Sequence, residues 1–212
     1  RERRSAAEPA LHSVVPGDYL PGDKASLVIP NSIQRQKALE TAVWLEDNFT
    51  VTGSLSVSGG IRLGTFHALG PQTVISYNPG FPRDIDSVSD TLTFAGNKIY
   101  RSYARPEYRF SANFRTGINS SFKLSYNHTN QYLHLLTNTT AISPTDTWKL
   151  SDYHLRPQSA DQFAAGFYKM LNKNRIEASV EIYYKNIENM IDFKGGTDLI
   201  MNEYIERDLV NV

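Results

Sequence analysis

The sequence predicts an all-β chain of antiparallel, up-and-down strands that cross a membrane as part of a β-barrel. Three observations predict it. Apolar and polar residues alternate with period two in segment after segment. Each alternating segment is about 9–11 residues, the length that crosses a bilayer as a tilted strand. The connections switch regularly between tight turns and long loops, the rhythm of outer-membrane barrels.

Residues 1–35 contain Pro9, Pro16, Gly17, Pro21, Gly22 and Pro30 and read as loop, with Leu27-Val28-Ile29 as a possible short strand. Strands fill residues 36–192. The first, Thr41–Phe49, sets Val43, Leu45, Asp47 and Phe49 against Ala42, Trp44, Glu46 and Asn48. Each face carries a carboxylate, so pattern alone leaves its register open. Both acids lie near a turn, where a lipid-facing charge costs only about 0–1 kcal/mol.

The later strands are cleaner. In Ser54–Gly64, Leu55, Val57, Ile61 and Leu63 alternate with serines, Gly60 and Arg62. In Glu107–Arg115, Tyr108, Phe110, Ala112 and Phe114 alternate with Arg109, Ser111 and Asn113. Phe122, Leu124 and Tyr126 do the same against Lys123, Ser125 and Asn127. Gln162–Met170 follows more loosely through Phe163, Ala165 and Phe167. In Arg175–Lys185, Ile176, Ala178, Val180, Ile182 and Tyr184 alternate with Glu177, Ser179, Glu181 and Tyr183. A helix would space its apolar residues by three and four, and none of these runs does. Residues 193–212 read as the start of a further loop.

Tight turns are expected at Thr50–Gly53, Gly117–Ser120 and Asn172–Asn174, all rich in Gly, Asn, Ser or Thr. Long loops are expected at about 65–106 and 132–159. In a barrel the turns are periplasmic and the loops extracellular.

Composition narrows the function. Lys+Arg and Asp+Glu are equal at 22 each, so no basic stripe marks a nucleic-acid partner. The absence of cysteine removes disulfides, thiol nucleophiles and Cys-type zinc sites. No apolar run is long enough for a transmembrane helix, which does not bear on strands. Arg1-Glu2-Arg3-Arg4-Ser5 is followed by no apolar run of a signal peptide, so either the chain is not exported or its exporting end lies elsewhere. No nucleophile elbow or phosphate-cradling glycine loop is present, so no enzyme is expected.

If the apolar face meets lipid, the other face must carry the charges, because Arg or Lys at the lipid midplane costs about 2–4 kcal/mol. Arg62, Arg109, Asn113, Arg115, Lys123, Asn127, Glu177 and Glu181 are then expected to line a wet or plugged lumen. The alternative is a soluble β-sandwich, a ligand- or carbohydrate-binding or adhesion module, whose apolar face packs on a second sheet. A small closed barrel is a third reading.

Several strings carry a resemblance. Gln36-Lys-Ala-Leu-Glu-Thr-Ala-Val-Trp-Leu-Glu-Asp-Asn-Phe49, then Leu55-Ser-Val-Ser-Gly-Gly-Ile-Arg-Leu63, resembles a barrel strand pair of TonB-dependent receptors. Pro106–Phe114 looks like the next descending strand. Ser125–Thr140, Thr147-Trp148, Pro157–Gln162 and Val180–Asp192 are similar to the Bacteroidetes-type branch. The resemblance implies a barrel of ~22 strands closed by an N-terminal plug. It implies import of a scarce ligand across the bacterial outer membrane, with energy from TonB. About six strands and no plug read as a fragment of such a barrel. Its expected partners are outer-membrane lipid, TonB through the missing plug, and an unknown small ligand. No cofactor is implied.

Candidate ligand contacts are the loop aromatics and histidines: Phe66, His67, Tyr132, His134, Trp148, Tyr153 and His154. The plainer reading is that they pack the loops together. No partner sits at ligand spacing from His134 or His154, so no metal site is expected.

Overall fold

A computed structural model describes residues 35–136, 147–171, 175–195, 197 and 205–212. Leu27-Val28-Ile29 and Asn172–Asn174 lie outside the described residues. The strands are β1 (Lys37–Thr50), β2 (Leu55–Leu69), β3 (Gln72–Tyr77), β4 (Val88–Phe94), β5 (Ile99–Gly117) and β6 (Ser120–Gln131), followed by β7 (Leu133–Leu136), β8 (Thr147–Leu150), β9 (Gln158–Leu171), β10 (Ile176–Glu188), β11 (Ile191–Phe193) and β12 (Leu209–Asn211). Six long strands form one sheet in the order β1-β2-β5-β6-β9-β10. Every neighbouring pair in it is antiparallel. Among the described residues β3-β4, β7-β8 and β11-β12 each form a separate two-stranded sheet.

The alternation fixes the register, since a one-residue slip would carry every apolar side chain to the wrong face. Across the middle of the sheet Val57, Ala112, Leu124, Ala165 and Ile182 pair in one row. The rows on either side continue the apolar face, with Phe110, Tyr126, Phe163 and Tyr184 above and Phe114, Phe122, Phe167 and Val180 below. On β10 this face runs from Ile176 to Tyr184, about 27 Å along the strand at ~3.4 Å per residue. Tilted by ~45°, that is roughly 20 Å of membrane depth, close to the apolar band of outer-membrane barrels.

No second sheet packs on this face among the described residues. Its side chains stand open; Leu45 is 79 % and Val180 69 % exposed. A soluble sandwich would bury them. Among the described residues the six-stranded sheet does not close on itself.

The open register of the first strand resolves. Leu45 pairs with Ile61 and Val43 with Leu63, so Val43, Leu45 and Phe49 join the apolar face. Trp44 and Glu46 share the face of Arg62 and Gly60. Asp47 falls on the apolar side close to the turn, where its Oδ1 accepts from the Asn48 N–H.

Tight turns close the sheet at one end. Leu55 O accepts from the Val51 and Thr52 N–H groups, and Thr52 Oγ1 accepts from Ser54 N and Leu55 N. This is a Ser/Thr turn replacing water as the backbone's partner.

At the other end the loop expectation needs correction. β2 continues to Leu69 and β5 begins at Ile99, so Phe66 and His67 are strand residues, and much of 65–106 is sheet and hairpin. Pairing survives there through Thr65 with Ala104 and His67 with Ser102. The apolar half of the alternation fades because water replaces lipid beyond the band, and with it goes the sequence signal. The 132–159 connection holds the short antiparallel pair β7-β8, and 193–212 contributes β12.

The buried core sits at this loop end. Phe66, Ala68 and Tyr132 form one cluster with Tyr100, Tyr103 and Leu150 against it. Leu136, Leu155 and Leu209 form another with Ile191 and Phe193.

Candidate functional site

All eight residues expected in a lumen project from the same face of the sheet. Arg62 pairs with Glu107 across β2-β5, Asn113 with Lys123 across β5-β6, and Arg109 with Asn127. Lys123 faces Gly166, whose other partner is Glu181, and Met170 pairs with Glu177. Arg115 lies two residues beyond Asn113 on the same strand, so alternation puts it on that face too.

Pairing organises part of the face. Arg62 donates through Nη2 to Glu40 Oε1 and through Nη1 to Glu107 Oε2, each at 2.9 Å. Glu107 Oε1 also accepts from the Asn130 N–H. Tyr168 donates its hydroxyl to Glu181 at 2.9 Å. Arg62→Ala should leave two carboxylates facing each other and destabilise the sheet by about 1–2 kcal/mol, discounted for partial exposure. Urea unfolding in detergent micelles checks this, with Arg62→Lys expected between the two because it keeps charge but loses the fork.

One row further from the loops, Arg109, Asn127, Thr129, Ala160, Gln162 and Lys185 line a hollow of about 350 Å³. A larger apolar hollow of about 560 Å³ lies on the opposite face, where Ala112 and Ala165 leave room below Phe110, Tyr126 and Phe163. In a bilayer that surface is covered by acyl chains.

The loop residues divide. Phe66 projects on the polar face, is 2 % exposed, and stacks on Tyr132 at 4.8 Å between centroids. The Tyr132 hydroxyl is buried without a hydrogen-bond partner among the described residues. His67 points to the other side and bonds Ser102 Oγ through Nδ1 at 2.8 Å. His134 is buried, its Nε2 2.9 Å from Ser151 Oγ. His154 is half-buried, with Nε2 donating to Ile75 O at 2.7 Å. Trp148 and Tyr153 are exposed, at 57 % and 39 %. The structure thus makes anchors of Phe66, Tyr132, His134 and His154 and leaves Trp148 and Tyr153 outward.

Other residues hold these loops and gave no sequence signal. Asp152 takes a buried ion pair from Lys149 at 3.1 Å and caps the chain by accepting from His154 N and Leu155 N. Arg83, from the β3-β4 connection, donates to the carbonyls of Leu209 and His154. Tyr103 on β5 donates to Asp152 O at 2.7 Å. Arg101 lies over the rings of both Tyr103 and Tyr153. Asp84 caps a 3₁₀ turn at Ile85–Ser87.

Burial pushes the His134 imidazole below its ordinary range, with Asp152 opposing. Burial also lowers His154; Arg83 and Lys149 add to this, while Ile75 O and Asp152 oppose it. At pH 7 both are therefore mostly neutral in the fold. Between that lowered value and the ordinary 6.5, the unfolded loop binds more protons than the folded one, so stability rises with pH across the window. The loop cluster should loosen as pH falls below 6.5. Hydrogen exchange, corrected for intrinsic rate, should show amides of 132–136 and 147–157 less protected at pH 5.5 than at pH 7.5, with the six-stranded sheet unchanged.

No curated protein matches this sequence. Among solved structures, the alcaligin outer-membrane receptor FauA from Bordetella pertussis is 12 % identical, with a TM-score of 0.45, over 77 % of this chain and 23 % of that one. The FrpB iron transporter from Neisseria meningitidis (F3-3 variant) is 14 % identical, with a TM-score of 0.47, over 84 % of this chain and 22 % of that one. The chain therefore spans less than a quarter of the length of either. The family model of the TonB dependent receptor-like β-barrel matches residues 8–205. With the alternating sheet, one face apolar and the other charged, this chain belongs to the TonB-dependent receptor β-barrel family of the bacterial outer membrane.

Proposed function

We propose that this chain supplies part of the wall of an outer-membrane transporter that binds a scarce ligand and imports it to the periplasm, with energy from TonB delivered through a plug. The observation that carries the reading is the segregation of Arg62, Arg109, Asn113, Arg115, Lys123, Asn127, Glu177 and Glu181 onto one face while the other is apolar. A wall of that kind separates lipid from a hydrated passage. Trp148 and Tyr153 are the ligand contacts of this reading, since their rings are exposed on a loop cluster anchored by Phe66, Tyr132 and Asp152. Ligand class is the open variable: an iron chelate, a vitamin, a glycan or a peptide.

The test is uptake by cells with and without the full gene, using radiolabelled ferric chelates, cobalamin, fluorescent oligosaccharides and fluorescent peptides as probes. One probe class should enter only when both the receptor and TonB are present, and Trp148→Ala with Tyr153→Ala should weaken its uptake. Entry of every probe unchanged by loss of the gene, or entry that persists without TonB, contradicts the proposal.

A further inference from the structure

The middle row of the polar face differs from its neighbours, and its reading rests on that face being a hydrated lumen. Arg109 on β5, Asn127 on β6, Gln162 on β9 and Lys185 on β10 stand in register, strand after strand. Together with Thr129 and Ala160 they line the hollow of about 350 Å³.

Most carboxylates near this row are already engaged. Glu107, two residues from Arg109, is held by Arg62 and the Asn130 N–H. Glu181, four residues from Lys185, accepts from Tyr168. Asp161 is on the opposite face, where it accepts from Tyr126 and bonds His128. Glu46 shares the row two strands from Arg109 and its side chain leans over the intervening Gly60, but it makes no ion pair with Arg109. Arg109 and Lys185 pair with no carboxylate among the described residues, and the Asn127 and Gln162 amides have no side-chain partner there.

A guanidinium, an ammonium and two amide NH₂ groups offer a set of donors with no carboxylate paired to them. We propose that this row is an anion-binding station in the wall, taking carboxylate or phosphate groups. Arg109 supplies the planar fork, Lys185 a second charge, and Asn127 and Gln162 the donors between them. The row spans three strand spacings, about 14 Å at the backbone. A solute carrying two anionic groups therefore uses it better than one carrying a single group. The anion comes either from a diffusing solute or from acidic side chains of a plug seated in the lumen.

This stretch contains no cysteine, so a single Asn127→Cys in a full-length receptor with any cysteines elsewhere replaced by serine gives an unambiguous probe. The readout is the ratio of labelling rates with an anionic and a cationic methanethiosulfonate, both water-soluble. A ratio cancels changes in thiol ionisation that affect both reagents alike. Adding Arg109→Gln and Lys185→Gln should lower the ratio on the order of tenfold, from two nearby charges acting with opposite sign on the two reagents. Arg115→Gln should leave it within about twofold, since it lies ~20 Å along the strand, beyond the screening length.

Protection of Asn127→Cys by succinate or inorganic phosphate in the intact receptor would assign the anion to a diffusing solute. Protection by these anions only after the plug is removed would assign it to plug carboxylates. Labelling by neither reagent, with or without the plug, would overturn the lumen reading itself. Labelling by both at a ratio indifferent to Arg109→Gln and Lys185→Gln, with no protection by either anion, would leave the lumen standing and overturn the station.

Discussion

Leu124→Arg is expected to destabilise the barrel by about 2–4 kcal/mol, because it places a cation near the middle of the lipid-facing band. Leu124 lies in the row of Val57, Ala112, Ala165 and Ile182, flanked by aromatic rows on both sides, so the guanidinium has only a long path to either interface. Its neighbour Ser125 sits at the same depth on the polar face, between Ser111 and Ala164. Ser125→Arg should therefore be nearly neutral. Heat-modifiable gel mobility and urea unfolding in detergent measure both. Equal losses for the two substitutions would mean that the faces are not solvated differently.

Phe66→Ala is expected to weaken docking of the loop cluster by about 3–4 kcal/mol, the usual cost of emptying a fully buried aromatic site. Phe66 is the point where β2 grips the chain leaving β6, through its stack on Tyr132. The loss should appear as faster protease cleavage and faster amide exchange in 147–157, while the heat-modifiable barrel band persists. Tyr132→Phe is the matched control. It keeps the stack and removes a buried hydroxyl that has no partner among the described residues, so it should be neutral or mildly stabilising. Cleavage unchanged in Phe66→Ala would show that the loops hold themselves by Asp152, Arg83 and their own cores.

The membrane-crossing part of this fold was legible because lipid imposes a strict rule on every second residue. Tyr108, Phe110, Ala112 and Phe114 could be assigned to one face from sequence alone, and Arg109 and Asn113 to the other. The strand that pattern left open, Thr41–Phe49, has a carboxylate on each face; pairing of Leu45 with Ile61 supplied what alternation did not. Beyond the band no such rule operates. Thr65–Leu69 and Ile99–Pro106 continue as strands on backbone pairing and local contacts, so their composition reads as loop.

The candidate site was legible to the same degree. The charged face follows from alternation, whereas the particular pairs on it do not. Glu40 reaches Arg62 from the neighbouring strand, and nothing in the order of residues announces it. The aromatic loop residues were visible as a set, but their division into anchors and exposed rings depends on long-range packing. Phe66 and Tyr132 meet across 66 positions of chain, and Arg83 reaches Leu209 across 126.

The most direct test of the central claim is a cysteine scan along β6, from Ser121 to Thr129, in full-length receptor reconstituted into lipid vesicles. Both neighbours of this strand are paired, so its two faces are well defined. Cysteines at 121, 123, 125, 127 and 129 should react with water-soluble thiol reagents. Those at 122, 124 and 126 should resist them and carry fluorophores quenched by brominated acyl chains. Position 128, beside Asp161, marks the upper edge. A period-two pattern with that phase is the predicted result; uniform reactivity in water, or quenching on the odd positions, would contradict it.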